Sequence, residues 1–189
     1  MLYALMGPRA AGKSTLIKMA MDMGVNYITA YTTEKLHGHS RRGRLLRKME
    51  PEVFNGERFY VQTGSRGYQY GWYKQDVLDA MEKHPTNIML ITEAAITPFR
   101  NLLRRNLVTI YIMSDYTTLV SRMSAEKATP EKIQEEMKYA EDYRILDGWK
   151  YTDYVIKNMG SKEVAFQQLL AIMGLTQPLP EKELREQLG

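Results

Sequence analysis

Gly7-Pro8-Arg9-Ala10-Ala11-Gly12-Lys13-Ser14-Thr15 fits the pattern G-x-x-x-x-G-K-[ST], and its neighbours are the ones that pattern requires. The apolar run Met1 to Met6 comes before it. The helix-period run Leu16, Ile17, Met19, Ala20 and Met23 comes after it, so the segment reads strand, loop, helix. In such a loop, glycines let the backbone curl until successive N–H groups converge on phosphate oxygens, and the helix start adds its positive dipole end. Gly7, Arg9, Ala10, Ala11, Gly12, Lys13, Ser14 and Thr15 are therefore the candidate triphosphate-binding residues. Lys13 has the reach to meet the β- and γ-phosphates, and the Ser14 hydroxyl is the candidate ligand for Mg²⁺.

Outward from the loop, apolar runs recur at Val25 to Thr29, Asn87 to Thr92, Val108 to Met113 and Tyr154 to Lys157, with the length and β-rich content of buried strands. Helical patterns lie between them: Lys13 to Met23, Lys74 to Lys83, Ala94 to Arg105, Tyr116 to Ser124, Pro130 to Ile145 and Lys162 to Met173. Strands alternating with helices of this length predict an α/β fold, a parallel sheet flanked by helices on both faces. Residues 30–73 depart from the pattern, being rich in Gly, Tyr and Arg with weak periodicity, and residues 124–144 form a polar helical segment. No repeat or low-complexity tract interrupts the chain, and beyond Leu175 the residues Pro178 and Pro180 break any earlier helix into a peripheral tail.

At 189 residues the chain has the size of one compact domain. It contains no cysteine, which excludes a disulfide framework, a thiolate metal site and a cysteine nucleophile. The formal charge of +4 is modest and reads first as solubility. No apolar run approaches the ~20 residues needed to span a bilayer, and the start lacks the basic region and long apolar core of a signal peptide. The expectation is a cytoplasmic protein without membrane contact. His37, His39 and His84 lack metal-site spacing, and the 13 methionines read as core filler.

With these residues in view, the sequence resembles the guanylate kinase family, P-loop nucleoside monophosphate kinases with a parallel core, an inserted monophosphate-binding region and a mobile lid. The matching residues, in family order, are the loop Gly7 to Leu16, Tyr31-Thr32-Thr33, Tyr70-Gly71, Leu119-Val120-Ser121-Arg122-Met123 and Thr152-Asp153-Tyr154-Val155-Ile156-Lys157-Asn158. The resemblance implies one domain over 1–189, with a core at 1–29, 74–121 and 145–174, an acceptor-binding insertion at 30–73, a helical lid at 122–144 and a tail at 175–189. It implies ATP and Mg²⁺ as cofactors, Lys13 and Arg122 as catalytic residues, and transfer of the γ-phosphoryl group to a small nucleotide, GMP or dGMP first.

Several family positions are altered. The arginines that follow the threonine pair and hold the acceptor phosphate are replaced by Glu34 and Leu36-His37. The hydroxyl residue after Tyr-Gly is Trp72, the acidic residue about ten positions earlier has become Val61 or Gln62, and the aspartate after the third core strand is Glu93. Two later lid arginines fall near Glu126-Lys127 and at Glu136. The donor half of the site thus carries over and the acceptor half does not.

Phosphoryl transfer still requires cations facing the acceptor. The run Lys35, Arg41, Arg42, Arg44, Arg47 and Lys48, with Arg58 and Arg66 beyond it, is the reservoir, and Arg41 and Arg42 lead as replacements because guanidinium grips phosphate in a fork. A solvated basic face is the competing reading. Thr33, Arg41, Arg42, Tyr70, Trp72 and Glu93 complete the candidate substrate-binding set, with Trp72 read as either a base-stacking platform or core packing. Glu93 either orients Mg²⁺ through water, bonds the acceptor base, or is simply an acid at a helix start. Basic residues interleaved with Phe59, Tyr60, Tyr68 and Tyr73 also describe a groove for single-stranded nucleic acid. Two rivals therefore stand beside the monophosphate kinase: a kinase of a non-standard nucleotide or nucleic-acid base, and a binding module of the same fold without turnover.

Overall fold

Leu2–Met6 form β1, and all of its residues are buried because both faces of the strand are covered. Tyr3 and Leu5 pack into one cluster with Leu16, Ile17, Leu169 and Leu170, whereas Leu2, Ala4 and Met6 pack into a second with Trp72, Val77 and Phe99. This two-sided burial is why the strand is apolar at every position rather than at alternate ones. The computed structural model describes residues 1–35 and 45–176.

After β1 come α1 (Lys13–Asp22), β2 (Asn26–Ile28), β3 (Ala30–Thr32), β4 (Leu46–Lys48), α2 (Pro51–Gly56), β5 (Val61–Ser65), β6 (Tyr68–Trp72) and α3 (Lys74–Lys83). The chain continues through β7 (Asn87–Leu90), α4 (Ile96–Leu103), β8 (Leu107–Met113), α5 (Tyr116–Ala125), α6 (Pro130–Asp142), β9 (Tyr154–Lys157) and α7 (Lys162–Ile172). The main sheet has the order β2-β7-β1-β8-β9. All its pairings are parallel, with Leu5 opposite Leu90 on one side and Ile110 on the other. This is the α/β architecture expected from the sequence, a five-stranded parallel sheet flanked by helices.

The helix expected over Ala94 to Arg105 is split: Glu93–Ala95 and Arg104–Asn106 are 3-10 turns around α4. Pro98 falls in the first turn of α4, where its missing N–H costs nothing, and Arg104 at φ 50 ends the helix.

Residues 30–73 hold a second sheet of order β4-β3-β6-β5, which the weak periodicity of the sequence did not reveal. Its β5–β6 hairpin pairs Ser65 with Tyr68, so Arg66 and Gly67 alone make the turn. Both have positive φ, 53 and 77, the requirement of the tight turn whose twist matches the strands. One face of this sheet, through Ala30, Leu46, Val61, Tyr70 and Trp72, joins the cluster on the β1 side of the main sheet. On another, Phe59 lies 4.5 Å from Phe54 and 4.6 Å from Tyr73, with Tyr31 and Tyr73 5.0 Å apart, so these rings pack on one another. Gly71 makes room for them, since a Cβ there would come within 2.5 Å of the Phe59 ring.

The last core strand is tied to β8 by a carboxylate. Asp153 Oδ2 accepts hydrogen bonds from the Thr109 N–H and hydroxyl, each at 2.7 Å, and Oδ1 accepts from Arg100 Nη2 at 3.0 Å. Burial raises the Asp153 pKa, but the Thr109 bonds and the Arg100 charge outweigh it and hold the carboxyl below the ordinary aspartate value. Asp153→Ala leaves buried Thr109 donors without an acceptor, and the expected loss is about 2 kcal/mol in urea unfolding. Because the folded pKa is depressed, the contribution is complete above the ordinary aspartate range and disappears as pH falls below it through the folded value. Wild-type stability therefore falls more steeply than that of Asp153→Ala below about pH 4.

Candidate functional site

β1 delivers Gly7 at the carboxyl edge of the sheet, and α1 begins at Lys13, so the loop spans the gap between them. Gly7 has φ 133 and a Cβ there would approach the Ile112 carbonyl oxygen to 2.6 Å. Gly12 has φ 97, and a Cβ there would run into Nδ2 of Asn158. Both glycines are thus dictated by close approach as well as by backbone conformation.

The loop is clamped through its carbonyls. Asn158 Nδ2 donates to the Ala11 carbonyl at 2.8 Å, and Arg122 Nη1 donates to the Ala10 carbonyl at 3.3 Å. Arg122 Nη2 also donates to the Asn158 carbonyl at 3.0 Å, and Ser114 Oγ donates to the same oxygen at 2.7 Å. In a trans peptide the N–H points opposite the preceding C=O. Fixing the Ala11 carbonyl toward Asn158 therefore also fixes the direction of the Gly12 N–H. Gly12 caps α1 with no side-chain acceptor, whereas Asp115, Thr129 and Ser161 cap α5, α6 and α7. The amides at the start of α1 carry its positive dipole end, and those of Thr15 and Leu16 donate to the Gly12 carbonyl. Lys13 Nζ donates to the carbonyls of Gly7 at 2.7 Å and Pro8 at 2.6 Å.

This loop forms one wall of a cavity of about 1410 Å³ that extends to the second sheet. Gly7, Arg9, Ala10, Gly12, Lys13, Ser14, Thr15 and Arg122 line it, together with Tyr70, Trp72 and Glu93. Ala11 is buried beneath the loop instead. The Tyr70 hydroxyl donates to Glu34 Oε2 at 2.7 Å, and Glu34 lines the same cavity. Thr33 is not among the lining residues, and its hydroxyl accepts the Gln69 N–H at 3.0 Å. Trp72 is 2% exposed and packs edge-on against Phe99, and its buried Nε1 has no hydrogen-bond partner among the described residues. Arg41 and Arg42 lie outside the described residues.

The sequence singled out Glu136 only as a lost arginine position, yet it is the centre of an ion cluster. Its side chain is 4% exposed, Oε1 accepts from Arg9 Nη1 at 2.9 Å and Oε2 from Arg66 Nε at 2.7 Å. Burial raises the Glu136 pKa, but Arg66 and then Arg9 outweigh it, so the carboxyl stays below the usual glutamate value and ionised. A signal for it exists in the sequence. Glu136 falls three residues after Ile133 and four before Ala140, on the apolar stripe of α6 beside Met137, and a lone acid on such a stripe needs a partner.

Among the described residues, no group of three or more histidines and carboxylates is placed to hold a metal ion, and no helix is long and apolar enough to cross a membrane. The Ser14 hydroxyl and the Glu93 carboxylate are oxygen donors facing the cavity. That sparse set fits Mg²⁺, which keeps most of its waters and is carried largely by substrate phosphates.

The fold recurs among solved structures. Guanylate kinase from Anaplasma phagocytophilum superposes with a TM-score of 0.65 at 14% identity, over 95% of this chain and 87% of that one. Shikimate kinase from Bacteroides thetaiotaomicron gives 0.51 at 16% identity, over 93% and 99%. TT1252 from Thermus thermophilus gives 0.51 at 15%, over 94% and 98%. No protein-family model and no curated protein sequence matches this chain. The likeness is therefore one of fold, that of the P-loop kinases.

Proposed function

We propose that this protein is an ATP-dependent phosphotransferase that moves the γ-phosphoryl group to a nucleoside monophosphate, with GMP and dGMP the first acceptors to test. The observation that carries the reading is the clamped loop. Gly12 sits where no side chain fits, the Ala11–Gly12 peptide is held by Asn158, and Lys13 lies beside the uncapped start of α1. Such an arrangement suits a chain of phosphates, whose transfer depends on positioning and charge neutralisation more than on covalent chemistry.

In this reading, the loop amides orient the triphosphate and Lys13 meets its β- and γ-oxygens. Ser14 and, through water, Glu93 would hold Mg²⁺, which supplies charge neutralisation when bound. Arg122 holds the loop through the Ala10 carbonyl. Tyr70 and Glu34 face the acceptor from the second sheet, so the division into a core, an insertion at 30–73 and a lid at 122–144 assigns the acceptor to the insertion. Arg41 and Arg42, in the segment beside Lys35, grip the acceptor phosphate. Arg41→Ala or Arg42→Ala alone is then expected to raise the acceptor KM roughly tenfold to a hundredfold, as one charge-assisted contact is lost, with ATP affinity unchanged. Initial rates across acceptor concentrations check this, and an unchanged KM in both variants makes the run a solvated face.

One observation favours the second reading, a kinase of a non-standard nucleotide or nucleic-acid base. Where the resemblance expects a guanine-binding hydroxyl, Trp72 is packed into the core. A panel of ribo- and deoxynucleoside monophosphates and short oligonucleotides with ATP and Mg²⁺, read as ADP release, tests both. Turnover with GMP or dGMP supports the first, turnover only with a modified base or a strand supports the second, and ATP binding without turnover leaves a binding module.

A further inference from the structure

Glu136, Arg9 and Arg66 come from three separate parts of the chain. Arg9 belongs to the loop, Arg66 to the β5–β6 turn and Glu136 to α6. A carboxylate this buried requires compensation, and one guanidinium gripping both oxygens would supply it. Here each oxygen takes a different arginine, so the cluster keeps a net positive charge at a cavity wall. Lys132 Nζ lies 3.9 Å from Glu136 Oε1 and pairs with Glu135 Oε2 at 2.8 Å, and this lysine–glutamate pair leaves the balance unchanged.

Arg66 is also held more firmly than an exposed turn residue. Its backbone N–H donates to the Tyr139 hydroxyl at 3.1 Å, its guanidinium lies 4.8 Å from the Tyr139 ring centre, and that hydroxyl is 3.3 Å from Ser65 Oγ. Its φ of 53 is a conformation that glycine and asparagine tolerate better than arginine. Arg66 uses Nε and Nη1, and Arg9 uses Nη1. The Nη2 groups of both have no hydrogen-bond partner among the described residues. Both arginines line the same cavity as Gly12, Lys13 and Ser14.

We infer that Glu136 is a positioning residue. It holds the guanidiniums of Arg9 and Arg66 as a pair of jaws for the terminal phosphate of the donor nucleotide, so that the loop and the second sheet also bring arginine charge to the transfer step, beside Arg122. This inference rests on the nucleotide-transfer reading above. It predicts that the contribution of the terminal phosphate to binding depends on Glu136, whereas the diphosphate portion, held by the loop amides and Lys13, does not.

The test compares the affinities of the intact protein for ADP and for a non-hydrolysable β,γ-imido analogue of ATP, by calorimetry with Mg²⁺, together with thermal melting. Wild type is expected to prefer the triphosphate. Arg66→Asn suits the turn, so it removes the guanidinium without unfolding the hairpin. It is expected to lose about tenfold of that preference while ADP affinity stays within about twofold. Glu136→Gln keeps the shape and removes the charge. It is expected to lose a similar factor, and the double variant no more than the larger single loss, because Glu136 acts through the arginine. Should Glu136→Gln not fold, Arg66→Asn alone decides. A wild-type preference that survives in folded Arg66→Asn, additive losses in the double variant, or a wild type that binds both nucleotides equally would overturn the inference. A wild type that binds neither nucleotide overturns instead the reading on which it rests.

Discussion

Lys13→Ala is expected to lower turnover by about a hundredfold to a thousandfold while the protein melts close to the wild-type temperature. The two effects separate because of where the side chain goes. Lys13 opens α1 from a partly exposed position, donates hydrogen bonds to two loop carbonyls, Gly7 and Pro8, and belongs to neither core cluster. Losing them costs on the order of 1 kcal/mol of stability at most, since each is a partly solvated hydrogen bond. In the transfer step the ammonium meets charge that develops on the phosphate oxygens inside a cleft, where removing one such group typically costs about 10²–10³ in rate. Lys13 is in addition the first residue of α1, at its uncapped start, so its loss also weakens triphosphate binding. Measuring ADP release and thermal melting on the same preparation checks both parts. Full turnover in a folded Lys13→Ala protein would remove the loop from the chemistry.

The main sheet could be read from the chain because its central strands β1, β7 and β8 are largely buried on both faces, whereas β9, expected as a buried strand, is an edge strand in which Ile156 alone is buried. Leu2–Met6 and Tyr154–Lys157 fall where the apolar runs put them, and Lys74–Lys83 is the helix that its periodicity implies. The second sheet could not, for physical reasons. β3 and β4 have three residues each, and their parallel pairing joins Ala30 to Leu46, which no local pattern encodes. Only the β5–β6 hairpin carried a signal, in the alternation of Val61 and Thr63 with exposed Gln62 and Gly64 and in the Arg66-Gly67 turn.

The candidate site divides in the same way. Glycine and lysine spacing in the loop is a local requirement, and it marked Gly7 to Thr15 at once. The groups that hold the loop in shape are distant in sequence: Asn158 bonds across 147 residues, Arg122 across 112 and Glu136 across 127. Thr33 carries a structural demand that the motif does not show. Its hydroxyl satisfies a strand N–H, so the residue matches a substrate-binding pattern while serving the second sheet.

Arg122→Ala is expected to lower turnover by about two to three orders of magnitude, and the structure adds a reason to the one that the resemblance supplied. As a lid residue, Arg122 would touch the transferring phosphoryl group, an interaction made mainly in the transition state. As placed by α5, its guanidinium also bonds the Ala10 carbonyl, Ser114 Oγ and both oxygens of Asn158, and Asn158 in turn fixes Ala11. Removing it therefore loosens the peptides that aim the loop amides. Ground-state binding of ATP should weaken together with turnover, and unfolding should cost about 2 kcal/mol less, since charge-assisted bonds to part-buried carbonyls are lost. For a chain of this length that is a drop in Tm of roughly 4–8 °C. Arg122→Lys separates the two contributions. It keeps the charge but not the planar fork that spans Ala10 and Asn158, so charge-only action predicts near-complete recovery of turnover, and clamping predicts that turnover stays low. Thermal melting with kcat and KM for ATP in both variants decides between them. Unchanged turnover in Arg122→Ala would move the transfer-step charge to other cations, with Arg9 and Arg66, already facing the cavity, the first to examine.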